Sequence, residues 1–308
     1  MDNLNVVVAL ITRDNDYQAE QAASATDVAA RLGVKLQVVY AENDAVNQTQ
    51  QLVKIIQNPI LRPTAILVEP VGTPMPQVAK AAVAAGIGWG ILNRECDYIS
   101  TLRHAGTPVF GVSTDQQEVG KIQGHQLAAL VTQGNVLYIE GPTSSSVSQL
   151  RTRGMLSAKP AGVDLKILKG DWTERSAQQA AKSWLSLSTS RQLHIQAVIC
   201  QNDAMAMGAR KAFVDLTEKD RDFWLNIPFT GCDGLAKTGQ EWVRRGMLAA
   251  TIITPALAGM ALEILVKAVR IGSMPPENTL VAPQSFPKVE ELRPKIPSVS
   301  TSAASTTK

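Results

Sequence analysis

The feature that most constrains the fold is an alternation of short apolar runs with amphipathic or alanine-rich stretches, which continues along almost the whole chain of 308 residues. A short apolar run is typical of a buried strand, and an amphipathic stretch is typical of a helix. Strands that are apolar throughout must be covered on both faces, as in a parallel sheet with helices on each side. The pattern therefore predicts an α/β fold built on doubly wound parallel sheets.

The alternation falls into two series of similar length, which predicts two doubly wound lobes of related build. The predicted strands are 6–11, 34–39, 65–68 and 89–92 in the first series, and 136–139, 164–168, 197–200, 227–230 and 250–253 in the second. Beyond Pro294 the sequence turns to Ser, Thr and Ala. We therefore expect residues 298–308 to be a disordered tail.

Composition and charge exclude several classes of function. The 30 Lys and Arg against 27 Asp and Glu leave a net charge of +3, which predicts no nucleic-acid partner. The three cysteines are widely spaced, and neither they nor the histidines have the spacing of a metal site. The longest apolar stretch, 255–271, contains three charged residues, so we expect no direct membrane insertion. No cofactor motif is present.

The first residues, MDNLNVVVALIT, carry no basic region and no small-residue cleavage site, so they do not constitute a signal peptide. Two localisations therefore stay open: the protein is exported and its signal has been trimmed from this chain, or the protein is cytoplasmic.

Unusual polar residues collect where the predicted strands end. They are found at 12–17, 93–95, 144–153, 171–173, 201–203, 233 and 254. Ligands of open parallel sheets bind outside the carboxyl ends of the strands. Carboxylates, amides and guanidinium groups satisfy hydroxyls that both donate and accept, and an indole ring packs on the apolar face of a sugar. The pattern predicts a site for a polyhydroxylated ligand.

Several segments carry a resemblance to a known family. They are IQAVICQNDAMAMGARKAF, GVSTDQQEVGKIQG, ILNR, RTRG, GDWTER and GCDG followed by GMLAATI. Together they resemble the periplasmic sugar-binding proteins of the ribose and galactose type, the type I periplasmic binding proteins, whose fold is shared with the effector domains of lactose-repressor relatives. The resemblance extends from about residue 5 to about residue 290.

The resemblance implies two lobes joined by a hinge of three chain crossings, with a sugar enclosed between them. It places residues 1–114 and 255–282 in the first lobe and residues 115–254 and 283–297 in the second. It also implies a non-enzymatic binding protein without a cofactor, the solute-binding component of a sugar ABC importer, that closes on a monosaccharide or polyol. The expected partners are the sugar and an ABC permease or a sensor protein, and the chain is expected to be a monomer.

The ligand contacts implied by the resemblance, with their neighbours at the strand ends, form the predicted site. They are Asp16, Tyr17, Asn93, Arg94, Arg153, Trp172, Asn202, Asp233 and Thr254. Of the two arginines 151 and 153, we expect Arg153 to reach the cleft and the other to be solvated. Asp203 is expected to cap the following helix, and Thr254 could serve as a cap because Pro255 suits the first helical position.

Two other functions stay open at this point. One is a cytosolic sensor of a sugar or sugar phosphate, since the loop Ser144–Ser146 lies near two arginines and could hold an anion. The other is a glycosidase or isomerase that uses Asp16, Asp203 and Asp233 as paired carboxylates. No catalytic motif accompanies those three residues.

Overall fold

The computed structural model describes residues 4–60, 62–73, 75–103 and 106–294 of the chain. The predicted tail at 298–308 lies outside the described residues. None of the described helices is both long enough and apolar enough to cross a lipid bilayer.

The described residues form twelve strands and eleven α-helices in nearly regular alternation. The strands are β1 (Asn5–Leu10), β2 (Lys35–Tyr40), β3 (Ala65–Val68), β4 (Gly88–Leu92), β5 (Val109–Thr114), β6 (Gln133–Glu140), β7 (Gly162–Lys169), β8 (Ile195–Cys200), β9 (Phe229–Thr230), β10 (Thr251–Ile253), β11 (Asn278–Val281) and β12 (Gln284–Phe286). The helices are α1 (Asp16–Leu32), α2 (Ala45–Gln57), α3 (Pro76–Ala84), α4 (Tyr98–Leu102), α5 (Gln116–Leu130), α6 (Ser146–Ala158), α7 (Glu174–Leu185), α8 (Asp203–Val214), α9 (Glu218–Asn226), α10 (Gly239–Arg244) and α11 (Leu257–Arg270).

The first lobe is a six-stranded sheet with the strand order β2-β1-β3-β4-β5-β11 and its covering helices. Every neighbouring pair in this sheet is parallel. Alternate residues of β1 enter two separate cores: Val6 and Val8 pack with α1 and α11, whereas Val7 and Ala9 pack with α2 and α3. Because both faces of the strand are buried, the strand is apolar throughout, as predicted.

The second lobe is a parallel four-stranded sheet with the order β7-β6-β8-β9, together with its helices. Leu137 and Ile139 of β6 face α7 and α8, and Val136 and Tyr138 face α5 and α6. Two isolated parallel bridges, from Thr230 to Ala250 and from Asp233 to Ile253, extend this sheet toward β10. The prediction of an α/β fold with two doubly wound lobes is confirmed.

The chain passes between the lobes at three places. It leaves the first sheet after β5 and enters α5, which packs on the second sheet. It returns between β10 and α11, which packs on α1 of the first lobe. Finally, β11 pairs with β5 of the first lobe, and β12 then pairs with β10 in an antiparallel direction.

The structure corrects the predicted start of α11. The helix begins at Leu257 rather than at Pro255, and its N-cap residue is Ala256, so Thr254 is not its cap. The carbonyl of Pro255 accepts a hydrogen bond from the Tyr17 hydroxyl at 3.1 Å, and Ala258 N donates to Gln21 Oε1 at 2.7 Å. The backbone of Ala256 is extended, with φ −68° and ψ 119°, so the helix starts later than the proline suggested.

Candidate ligand-binding cleft

A cavity lies between the lobes at the carboxyl ends of both sheets, with an empty volume of about 470 Å³ that is partly open to solvent. Its lining consists of Ile11, Thr12, Asn15, Tyr17, Gln18, Glu69, Asn93, Arg94, Gln116, Val147, Arg151, Trp172, Asn202 and Asp233. Most of these residues follow directly on a strand or begin a helix. The cavity therefore occupies the position at which ligands of parallel sheets bind.

The wall from the first lobe centres on the carboxylate of Glu69, which follows β3. Its Oε2 accepts from Gln18 Nε2 at 3.0 Å and from Gln21 Nε2 at 3.4 Å, and its Oε1 accepts from Asn93 Nδ2 at 3.1 Å. Asn93 Nδ2 also donates to the Tyr17 hydroxyl at 3.0 Å. These side chains form one buried network.

Burial controls ionisation in this wall. It raises the pKa of Glu69, against the opposing effects of the Arg94 charge and of the hydrogen bonds from Gln18 and Asn93. It also raises the pKa of Tyr17 well above its ordinary value, and the nearby Glu69 charge adds to that rise. Tyr17 therefore acts as a neutral hydroxyl.

Arg94 is buried in the same wall and bonds to the main chain. Its Nε donates to Gly72 O at 3.3 Å, one terminal nitrogen donates to Asn93 O at 2.9 Å, and the other donates to Pro70 O at 2.9 Å. Burial lowers the pKa of Arg94, although the Glu69 charge opposes this effect. Three of the five N–H groups are thus committed, and two remain to donate to a ligand.

Arg151 and Trp172 form much of the wall from the second lobe. Arg151 Nε donates to Gln116 Oε1 at 2.9 Å, and a terminal nitrogen donates to the carbonyl of Gln201. The guanidinium carbon lies 5.7 Å from the centroid of the Trp172 ring, a cation–π distance. A Cβ on Gly141 would lie 2.3 Å from that ring, so glycine is required for the indole to pack there.

The structure corrects the predicted cap of α8. The N-cap residue is Asn202, whose Oδ1 accepts from Met205 N at 2.9 Å. The carboxylate of Asp203 instead points into the lobe, where it accepts from Thr251 Oγ1 at 2.7 Å and from Gly234 N at 2.8 Å. Burial raises the pKa of Asp203 to about 7, and the two hydrogen bonds oppose that rise.

Asp233 provides a buried carboxylate on this side of the cavity. Its backbone has a φ of 112°, a conformation that few residues other than glycine adopt. Its main chain is fixed on both sides, because Asp233 N donates to Ile252 O and Thr254 N donates to Asp233 O. Within the described part of the chain, no side chain or main-chain donor bonds to the carboxylate. Burial and the negative charge of Asp203 raise the pKa of Asp233 well above its ordinary value, and the Arg151 charge opposes them.

The two lobes meet at the carbonyl of Trp172, whose own backbone has a φ of 75°. Asn15 Nδ2 of the first lobe donates to this oxygen at 3.0 Å, and Asn202 Nδ2 of the second lobe donates at 2.9 Å. Asn15 Oδ1 simultaneously caps α1 by accepting from Tyr17 N and Gln18 N. One asparagine thus both starts a helix and ties the lobes together across the cavity.

The structure brings most of the predicted site residues together around this cavity. Those that line it are Tyr17, Asn93, Arg94, Trp172, Asn202 and Asp233. Asp16 does not line the cavity, because it is the exposed first residue of α1. Arg153 is exposed on α6 and borders a separate surface depression, whereas the buried Arg151 lines the cavity. Thr254 is buried beside it without lining it, and its hydroxyl has no partner among the described residues.

Sequence reasoning missed several lining residues. They are Asn15, Gln18, Glu69 and Gln116, and Arg151 was assigned to solvent. The signal for Glu69 was available, since it follows a strand in the same way as Asn93 does. The thiols of Cys200 and Cys232, whose orientation the sequence left open, are fully buried in the second lobe and do not line the cavity.

Of the three acidic residues Asp16, Asp203 and Asp233, only Asp233 lines the cavity. The exposed Asp16 lies outside the cavity, and the Asp203 carboxylate is occupied by Thr251 and Gly234. Among the described residues, no group of three or more His, Cys, Asp and Glu side chains could hold a metal ion.

Comparisons with known proteins agree with this architecture. The galactofuranose-binding protein of Escherichia coli is 24% identical over 283 residues, which cover 90% of this chain and 86% of that protein. A ribose import binding protein of Haemophilus influenzae is 27% identical over 251 residues, covering 80% of this chain and 78% of that protein.

Solved structures show the same fold. The crystal structure of a galactofuranose-binding protein superposes with a TM-score of 0.78 at 22% identity, covering 92% of this chain and 94% of that chain. A solute-binding protein of an ABC transporter from Bacillus halodurans, solved with bound myo-inositol, gives 0.76 at 20% identity, covering 92% and 95%. The relatives from Escherichia coli and Haemophilus influenzae are named as binding proteins and not as enzymes. The family model described as a periplasmic binding protein domain matches residues 6–272, and this chain belongs to that family.

Proposed function

We propose that the protein is a non-enzymatic receptor for a small carbohydrate, a monosaccharide or polyol, which it encloses in the cavity between its lobes. One observation carries this proposal: the buried Asp233 carboxylate faces the cavity with no donor from the described residues. A buried acceptor of this kind needs a partner, and ligand hydroxyls supply one. The Trp172 ring and the remaining N–H groups of Arg94 and Arg151 offer the apolar surface and the donors that the rest of a polyol requires.

The names of the relatives support a carbohydrate rather than another small solute. Curated relatives are named for binding galactofuranose, D-allose and ribose. We propose that this chain likewise serves as the solute-binding component of an ABC importer, with a permease as its protein partner. We further propose that it is a monomer, in which residues 1–114 with 255–282 and residues 115–254 with 283–297 move as two bodies.

The first experiment identifies the ligand. The protein is unfolded and refolded to remove any bound solute, and thermal unfolding is then followed with pentoses, hexoses, polyols and sugar phosphates. A ligand at one hundred times its dissociation constant adds about 2.7 kcal/mol to the free energy of unfolding, which raises the melting temperature measurably. A response to one stereoisomer supports the proposal. A response restricted to phosphorylated compounds would favour the alternative of a sugar-phosphate sensor.

The central contact is tested by Asp233→Gly, because glycine accepts the positive φ of this position without strain. The carboxyl group can bond ligand hydroxyls through both of its oxygens, so its removal should weaken binding by about 2–4 kcal/mol, or roughly 30- to 1000-fold, as measured by calorimetry. Arg153→Ala is the control, since this arginine is exposed and does not line the cavity. Unchanged affinity in Asp233→Gly would remove the central contact from the proposal.

A further inference from the structure

The side-chain amide of Asn93 presents an unusual arrangement at the cavity wall. Both hydrogens of its Nδ2 are used, one on the Tyr17 hydroxyl at 3.0 Å and the other on Glu69 Oε1 at 3.1 Å. Its Oδ1 is buried and has no hydrogen-bond partner among the described residues. Asn93 lines the cavity, so its side chain lies next to the space that a ligand would occupy. An unpaired buried acceptor is costly, and a donor from the ligand would satisfy it.

The orientation of the Asn93 amide is imposed by Glu69. An ionised carboxylate can only accept hydrogen bonds, so the NH₂ group of the amide must face it. If the amide turned over, Asn93 Oδ1 would face Glu69 Oε1, and two acceptors would oppose each other without a hydrogen between them. Three amide groups donate to Glu69, and the Arg94 charge favours its ionised form. The carboxylate therefore holds the Asn93 oxygen on the side of the amide that faces away from Glu69.

Glu69 is itself held in place by two glutamines that cannot turn over. Gln18 Oε1 accepts from the main-chain Ile11 N at 3.0 Å, and Gln21 Oε1 accepts from Ala258 N at 2.7 Å. Because main-chain N–H groups only donate, the oxygens of both glutamines are fixed, and both NH₂ groups must point at Glu69. The direction of every hydrogen bond in this network thus follows from the backbone.

We propose that Glu69 is a specificity-determining positioning residue, which holds Asn93 as a pure acceptor so that the cavity selects ligands with a donating hydroxyl at that point. This inference rests on the carbohydrate-binding function proposed above, and it assigns to Glu69 no direct contact with the ligand. The cavity then distinguishes a sugar from its deoxy analogue at one carbon, because the analogue leaves Asn93 Oδ1 unpaired. A ligand with an acceptor only, such as a methyl ether, is rejected for the same reason.

The test uses Glu69→Gln, which keeps the shape of the side chain but adds a donor. The amide of the new side chain cannot accept from Gln18, Gln21 and Asn93 at once, so Asn93 becomes free to turn over. The matched control is Glu140→Gln, the same change at a buried glutamate of the second lobe that pairs with Lys169 and Thr152 and does not line the cavity.

The first readout needs no ligand. Nitrogen-resolved NMR follows hydrogen exchange of the Asn93 side-chain amide in the full protein, with Asn93→Ala used for assignment. We expect both amide hydrogens to be protected in the wild-type protein and in Glu140→Gln, and to exchange at least tenfold faster in Glu69→Gln. Equal exchange in all three proteins would overturn the proposed orienting role, while the carbohydrate function would stand.

The second readout is discrimination between ligands. Calorimetry compares D-ribose, D-allose, D-galactose and myo-inositol with their monodeoxyfluoro analogues on the same three proteins, because fluorine can accept a hydrogen bond but cannot donate one. In the wild-type protein and in Glu140→Gln, one fluorinated position should weaken binding by about tenfold, and in Glu69→Gln, where a turned-over Asn93 donates instead, this ratio should approach one. A uniform loss of affinity in Glu69→Gln with an unchanged ratio would indicate a merely structural role and would overturn the proposal.

The two readouts separate this inference from the function on which it rests. If Asn93 is protected but no carbohydrate binds the wild-type protein, the proposed function fails, and the specificity role of Glu69 fails with it. If a carbohydrate binds and Asn93 is unprotected, only the inference fails.

Discussion

Burial of the single residue Asp203 makes the free energy of unfolding depend on pH. Its two oxygens accept from Thr251 and Gly234, and a Cβ on either Gly231 or Gly239 would lie about 2 Å from them. The carboxyl is therefore enclosed by backbone on two sides. Burial moves its pKa from the ordinary 3.8 to about 7, so the folded protein binds this proton more tightly than the unfolded chain does.

The sign of the resulting pH dependence follows from that shift. The stabilisation from the bound proton is complete below pH 3.8 and is lost as the pH rises through about 7. Between these values the free energy of unfolding should fall with a slope of up to about 1.4 kcal/mol per pH unit from this group. Asp203→Asn should remove that component, because an amide does not titrate. Urea unfolding of both proteins between pH 4 and 8 measures the difference, and parallel profiles would contradict the prediction.

Residue-level reasoning from the sequence found much of the cavity wall but not all of it. The rule that ligands bind at strand ends selected Asn93, Trp172 and Asp233, since each lies within three residues of the end of a strand. It favoured Arg153 over Arg151, whereas the structure places Arg151 in the cavity wall and leaves Arg153 exposed. Residues two apart on a helix point to nearly opposite sides, so only one of the two can face the cavity. The face of α6 that turns inward is decided by packing against α5, which no local pattern contains.

That packing is the main feature at the scale of secondary-structure elements. Helices α5 and α6 approach so closely that a Cβ on Gly120 would lie 2.0 Å from Arg151 O, and one on Gly154 would lie 2.1 Å from Gln117 O. This contact of backbone with backbone sets the position of Arg151 relative to Gln116. Across the pair of helices, Arg151 Nε donates a hydrogen bond to Gln116 Oε1.

Gly154→Ala should therefore separate the two helices. The added methyl group meets main-chain atoms that cannot rotate away, so we expect a loss of about 1–3 kcal/mol in the free energy of unfolding, measured in urea. Ligand affinity should fall as well, because Arg151 is carried away from Gln116. Ser157→Ala on the exposed side of α6 is the control and should change stability by less than about 0.5 kcal/mol. A fully stable Gly154→Ala would mean that the helices can move apart without cost.

The sequence predicts the order of the strands and helices better than it predicts the contacts between them. Helix α1 ends at Gly33, a residue type typical of helix ends, which has a φ of 68° as the C-cap of the helix. Helix α9, in contrast, was not predicted, since its sequence EKDRDFWLN has little apolar periodicity. It is held by tertiary contacts instead: Trp224 stacks on Phe213 with ring centroids 4.2 Å apart.

At the scale of the whole molecule, a direct hydrogen bond joins the lobes at the carbonyl of Trp172. Asn15 donates to this oxygen from the first lobe, and Asn202 donates to it from the second lobe. The three chain crossings near β5, β10 and β11 also join the lobes. Hinge closure of this type is governed by a small free-energy difference, so a single hydrogen bond is enough to shift the population.

Asn15→Asp isolates that hydrogen bond from the other role of the residue. Aspartate is as good an N-cap as asparagine, so α1 should be retained and the free energy of unfolding should change little. The carboxylate has no hydrogen to donate, and its negative charge repels the carbonyl oxygen of Trp172. We expect the variant to be more open in solution, with a larger radius of gyration by X-ray scattering, and to bind its ligand at least about tenfold more weakly.

The matched control is Asp44→Asn, the reverse exchange at the exposed N-cap of α2, which should give the same radius of gyration and the same affinity as the wild type. If Asn15→Asp keeps the wild-type radius and affinity, the contact at Trp172 does not hold the lobes together, and closure must be carried by the crossings and by the ligand itself.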